Sequence, residues 1–161
     1  MELCSPPGSA APSAPVSAPV RCALPNLTVT AGSPDASAGH RAVVLTFTNT
    51  ATVPCTMRGY PGVALLDGHA TQVAQARRTP HGYEGGVQGE APAVTLAPGR
   101  SASAIVEALA ANTDGTACVP WSGLLVTAPD ERRSTRLGWD SDGCADPQVH
   151  PVVPGTTGRL G

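Results

Sequence analysis

Turn-forming residues interrupt this sequence at short intervals along almost its whole length, which leaves little room for helices of ordinary length. The 161-residue chain carries 18 Gly and 17 Pro. Gly loses more backbone freedom in a helix than any other residue, and Pro has no amide hydrogen to contribute to one. Both therefore break helices and favour reversals. Between the interruptions lie short runs that alternate apolar and polar residues, the period of a half-buried strand. Leu27-Thr28-Val29-Thr30 alternates and runs into the turn at Gly32-Ser33-Pro34-Asp35. In the run from Ala42 to Thr48, Val43, Leu45 and Phe47 share one face and Val44, Thr46 and Thr48 the other. Short strands are expected at Cys55–Met57, Val63–Leu66, Val94–Leu96 and Leu124–Thr127. Gln72 to Ala76 reads as the hairpin partner of Val63–Leu66 across the Asp67-Gly68 turn. Thr135, Leu137 and Trp139 share a face of a further strand. Ala102 to Leu109 fits strand or helix by period, and the Ala97-Pro98-Gly99 turn before it favours strand. Val149 to Val153, interrupted by Pro151, is expected to be a last strand at a sheet edge. Roughly seven to nine short strands separated by turns predict an all-β domain, a sandwich rather than a barrel.

The chain is long enough for one domain with a real core. With only 3% aromatic residues, that core must be built from Val, Leu and Ala. Cross-links then matter more, and the sequence has five cysteines: Cys4, Cys22, Cys55, Cys118 and Cys144. None forms a Cys-x-x-Cys pair, and no His stands at metal-ligand spacing from them, so zinc-ribbon and thioredoxin-type readings lose their support. The last four, widely spaced in a strand-and-turn domain, suggest two disulfides and an oxidising compartment, with buried free thiols as the alternative. Four cysteines allow three pairings. Cys22–Cys55 and Cys118–Cys144 are favoured, because in each pair one cysteine flanks a strand and the other lies near a strand or turn edge.

Cys4 has no evident partner and heads a stretch, residues 5–20, in which Pro recurs every few residues with no apolar period. Residues 1–21 read as an extended, polyproline-leaning stalk. A Cys followed by a flexible stalk is the form of a bacterial lipoprotein after signal cleavage, so Cys4 is a lipidation candidate. The competing reading is a stray thiol, since Met1-Glu2-Leu3 is too short to be a signal peptide. The folded domain is expected over 22–154, and the tail, 155–161, is expected to be unstructured.

Net charge is −2 and the Arg77-Arg78 and Arg132-Arg133 pairs do not make a basic stripe, so a nucleic-acid partner is not expected. No run approaches the roughly 18 apolar residues of a membrane span. The nearest, Ala102 to Ala111, carries Glu107 in its middle. Membrane contact is expected only through a lipid at Cys4.

One set of residues carries a resemblance. Phe47-Thr48-Asn49-Thr50, then Cys55-Thr56-Met57, then Gly59-Tyr60-Pro61-Gly62-Val63 are similar to the domain of unknown function 4232 family, found in actinobacterial secreted proteins and lipoproteins. Cys22 and Leu27, Leu96-Ala97-Pro98-Gly99, Cys118 before a Pro, and Cys144 with Val149 to Val152 extend the resemblance over residues 22–153. It implies an immunoglobulin-like sandwich outside the cytoplasm, often lipid-anchored or preceded by a membrane segment, with no established activity. This chain departs from the family in lacking an intact signal peptide and lipobox, which bears on anchoring.

Candidate chemistry is sparse. No Gly-x-Ser-x-Gly elbow is present and no spacing organises the serines and four histidines into a nucleophile and base, so no catalytic residue is assigned. Asp67, His69, His81 and Glu84 flank one hairpin and its loop, and imidazole with carboxylate could bind copper or zinc if the loop folds back. The plainer reading of His69 and His81 is solvated loop. Tyr60 and Trp121 are expected to pack. Residues 77–92 form a long polar segment with four glycines, read as a loop, and His81, Tyr83 and Glu84 within it are the binding candidates. The leading expectation is a monomeric, non-enzymatic, extracytoplasmic envelope module that needs no cofactor and binds an unidentified protein or envelope ligand. The rivals are a metal-binding envelope protein using His69 and His81, and a small envelope hydrolase.

Overall fold

A computed structural model describes residues 20–160. They form fourteen strands and, among the described residues, no helix. In chain order these are β1 (Val20–Arg21), β2 (Leu27–Ala31), β3 (Asp35–Ser37), β4 (His40–Asn49), β5 (Cys55–Arg58), β6 (Gly62–Leu66) and β7 (Gln72–Gln75). They continue as β8 (Arg77–Arg78), β9 (Ala93–Leu96), β10 (Ser101–Leu109), β11 (Gly123–Thr127), β12 (Ser134–Gly138), β13 (Ala145–Val149) and β14 (Val153–Pro154). The surplus over the expected seven to nine comes largely from strands of two or three residues, too short for alternation to be read in them.

The strands make three sheets. The largest runs β2-β4-β10-β13-β8, with β14 also on β10 and β3 on β4. A second runs β12-β11-β6-β7 and a third β1-β5-β9. Nearly all pairs are antiparallel; β1 with β5 and β8 with β13 are parallel. The inner faces meet in one core. The largest sheet supplies Leu27, Val43, Leu45, Phe47, Ala104 and Val106, the second Val63, Leu65, Leu124 and Val126, and the third Met57, Val94 and Leu96. At about 25 cal/mol per Å² of apolar area, cooperative burial of these Val and Leu side chains is the main drive to this arrangement.

The longest pairing joins β10 to β4 from Ser101 opposite Thr48 to Leu109 opposite His40. Seven consecutive β10 residues, Ala102 to Ala108, are buried. Both faces of β10 are covered, so the alternation that marks β4 disappears, and this is why its period was ambiguous. Val149 to Val153 is not one edge strand. β13 and β14 both lie against β10, and Pro151 falls in the connection between them, where no ladder bond is lost. The tail also departs from expectation: the Gly158 amide donates to Ser103 Oγ (2.8 Å), and Arg159 bridges to Gly86.

The two disulfides are Cys22–Cys55 and Cys118–Cys144, with Cα–Cα distances of 4.9 and 5.6 Å. Closed loops of this size contribute roughly 3–4 kcal/mol each in the chain-entropy account. Asn49 explains one of the resembling motifs. Fully buried, it donates from Nδ2 to Val53 O and Leu96 O and accepts the Ala51 amide, so one side chain fixes the turn after β4 and ties it to β9. Trp121 packs on the core edge-on to Trp139, with ring centroids 6.0 Å apart.

Candidate functional site: a buried polar line beneath the glycine-rich loop

On β10, period two places Ala102, Ala104, Val106 and Ala108 on the core face and Ser103, Ile105 and Glu107 on the other. On the neighbouring strand Gln148 stands opposite Glu107. His150, two residues on, donates its amide to Ile105 O at 3.0 Å. The outer face of the largest sheet thus gathers a carboxylate, a carboxamide, an imidazole and a hydroxyl. Its centre is closed to solvent, with Ser103 and His150 fully buried and Glu107 3% exposed, while Gln148 at its end is half-buried.

The cover is the segment after β8, with the tail. Within it the Gly82 amide donates to Gly85 O and the Val87 amide to Pro80 O. Two glycines are required by geometry. A Cβ on Gly82 would lie 2.5 Å from Glu107 Oε2, and Gly86 has φ +116° with its Cβ position 2.3 Å from Pro80 O. The Glu107 carboxylate pairs with His150 and lies directly beneath the backbone of the loop at Gly82. Burial pushes this carboxyl up, but the bond from His150 and the nearby backbone of Glu84 and Tyr83 outweigh it and hold it below the ordinary glutamate value. The contact of Glu107 Oε2 with His150 Nε2 fixes the orientation of the buried imidazole.

The other ring nitrogen faces Thr79. Nδ1 lies 3.1 Å from Thr79 Oγ1 and 2.9 Å from Thr79 O. Thr79 is held there because its amide donates to Val149 O (3.0 Å), continuing the parallel pairing of β8 with β13. Its hydroxyl donates to Gln148 Oε1 at 3.0 Å. Gln148 is oriented from its far side, where Nε2 donates to the Asp146 carboxylate at 3.3 Å. Asp146 in turn accepts Arg77 at 3.0 Å. A line therefore runs Gln148, Thr79, His150, Glu107, ending beneath the loop.

Above this line the loop presents Tyr83, 55% exposed and stacked on His40 with ring centroids 3.8 Å apart. Next to it is a cleft of about 430 Å³ lined by residues 81–88 with Arg159 and Leu160. Arg159 donates to Glu84 O, which ties the tail to the loop.

The candidate residues separate accordingly. His81, Tyr83 and Glu84 lie together in the covering loop and line the same cleft. His69 does not join them: it sits in the exposed β6–β7 turn, where its amide and that of Thr71 donate to Asp67 Oδ1. Those two amide bonds hold the Asp67 carboxyl below its usual value. Among the described residues no three His, Cys, Asp or Glu side chains converge as metal ligands would. Cys4 and all but the last two residues of the stalk lie outside the described residues. Thr79, Gln148, His150 and His40 carried no sequence signal; the one legible sign was Glu107, a single charge inside an apolar run.

Comparison with known sequences finds one family, described as a domain of unknown function (DUF4232), whose pattern matches residues 22–155. No curated protein and no solved structure gives a match.

Proposed function

The chain belongs to the DUF4232 family, and from that premise we propose that it is a non-enzymatic module of the cell envelope that binds through its 80–88 loop. Two disulfides are consistent with an oxidising, extracytoplasmic setting. The observation that carries the binding reading is the anchoring of the loop. Backbone bonds within the loop, the Arg159 bond to Glu84 O and the buried Glu107 carboxylate packed beneath Gly82 fix it from below, while Tyr83 and the adjoining cleft face outward. A rigid scaffold presenting a shaped loop is a common basis for recognition, and a pre-ordered loop loses less entropy on binding.

Turnover of an outside substrate is disfavoured by the same geometry. His150 is fully buried, one ring nitrogen bonds Glu107, and the other faces Thr79. We also propose that Cys4 carries a lipid and that residues 1–21 act as its stalk, which intact mass of protein from a secreting host would test.

The binding reading is tested by placing a photo-crosslinking residue at Tyr83 and, as control, at Val73 on β7, which is 52% exposed. Irradiation on intact cells should give a discrete adduct with an envelope component from position 83 alone. Equal labelling from both positions, or none from 83, would overturn it.

A further inference from the structure

Of the two Trp, two Tyr and one Phe in this chain, only Tyr83 is exposed. Its ring is backed by the His40 imidazole, 3.8 Å away and within 4° of parallel. One face of the ring is therefore covered and the other is offered to solvent, on a loop that its glycines and internal bonds fix. The ring lines two recesses. One is the cleft of about 430 Å³ that it shares with His81, Glu84, Gln88 and Arg159, within the size range of small-molecule sites. The other, of about 40 Å³, is shared with His40, Glu107, Asp146 and Gln148 and has room for roughly two or three water-sized groups. Apart from Tyr83 itself and Leu160, the exposed walls of the cleft are glycine and polar side chains, which suits neither an acyl chain nor an apolar side-chain anchor.

The carboxylates here already face nitrogen partners. Arg159 stands 4.0 Å from Glu84 Oε1, Arg77 lies 3.0 Å from Asp146, and Glu107 bonds His150. An ion is not what the site lacks. It lacks a donor: Glu84 Oε2 is buried without a hydrogen-bond partner among the described residues, a costly state for a carboxylate oxygen. A hydroxyl supplies that donor, and its own oxygen accepts from Arg159 or Gln88. We propose, resting on the loop-binding reading above, that the ligand is a neutral glycan, one pyranose of which lays its C–H face on Tyr83 and turns its hydroxyls to Glu84 and Arg159. The face of an aromatic ring carries partial negative charge, which attracts the outward C–H bonds of a sugar. A hydroxymethyl arm is of a size to enter the recess over Glu107. A pyranose is rigid, so meeting a pre-ordered loop costs it little freedom.

The test reads the chemistry of what the loop touches. With Tyr83 kept and the photo-crosslinker moved to Gln88, an exposed wall of the cleft, irradiation on intact cells should leave sugar residues attached to tryptic peptide 79–100, read by mass spectrometry. Attached amino acids or acyl chains would leave the loop reading standing and overturn the glycan assignment. No adduct from position 83 or 88 would overturn both. The purified chain should also sediment with delipidated, protease-treated cell wall, and its retention should persist at about 0.5 M salt, where a charge-driven contact is screened. Tyr83→Leu should weaken retention about tenfold, near the upper end of what an aromatic contact contributes, while Tyr83→Phe, which keeps the ring, should not. Glu84→Gln keeps an acceptor oxygen without the charge and should still bind, whereas Glu84→Leu should not. No retention, retention of Tyr83→Leu equal to wild type, or retention that salt abolishes would overturn the proposal.

Discussion

On the inner face of β10, Ala102, Ala104, Val106 and Ala108 meet only apolar side chains of the core, whereas on its outer face Ser103 and Glu107 meet an amide, an imidazole and a glycine-rich loop. Both faces are equally dry. The inner face needs only shape and volume, and many apolar residues could supply them. The outer face needs every donor and acceptor in place, because a buried polar group without a partner costs about 1–3 kcal/mol. One strand therefore carries a tolerant interior and an exacting one. The difference follows from what covers each face: strands with their own ladders on one side, a loop whose amides must find partners elsewhere on the other.

The largest effect should come from the inner face. Phe47→Ala removes the largest fully buried side chain and should destabilise by about 3–5 kcal/mol. Denaturant unfolding should report it with an unchanged, single transition. Glu107→Leu should cost somewhat less, about 3 kcal/mol, since it strands the fully buried His150 beneath the loop. Its signature should differ: hydrogen exchange should accelerate first at residues 80–88, with the core still protected. Uniform exchange across both faces would break the comparison. Glu107→Gln should be milder than Glu107→Leu, because a carboxamide still bonds His150.

Acid should act on the outer face before the inner one. The folded value of Glu107 is depressed, so its stabilisation is present above the unfolded glutamate value, about 4.3, and is lost as pH falls through the lower folded value. Loop exchange followed by pH should rise in that window, and Glu107→Gln should flatten the dependence. Asp67 and Asp142, also depressed, keep some slope in stability elsewhere. Smallest of all, Tyr83→Ala should shift stability by less than about 1 kcal/mol, as exposed substitutions do, while reducing adduct formation from neighbouring loop positions.

The two faces also differ in how far the sequence reveals them. Val43, Leu45 and Phe47 announce the inner face because alternation survives in β4, where one side is less deeply covered. The four cysteines give the cross-links once strands and turns have been placed around them. The outer face leaves almost no trace. Thr79, Gln148 and His150 lie in segments with no period, and Thr79 and Gln148 are 69 residues apart. Their meeting depends on a two-residue strand pairing in parallel with β13, which no local pattern encodes. Glu107 was visible as a charge where none belonged, and an unexplained charge in an apolar run marks the place where a buried partner should be sought.

The disulfides also govern how the chain answers a pull. Cys22 directly follows the first described strand, and its bond to Cys55 short-circuits a sequence separation of 33, while the second bond short-circuits one of 26. At about 3.5 Å per residue, the first bond alone withholds roughly 115 Å of contour from any extension. Tugged by its N-terminal end, an oxidised molecule would pay out a shorter tether, and β2, β3 and β4 would stay outside the stretched path. Reduction would lengthen the leash.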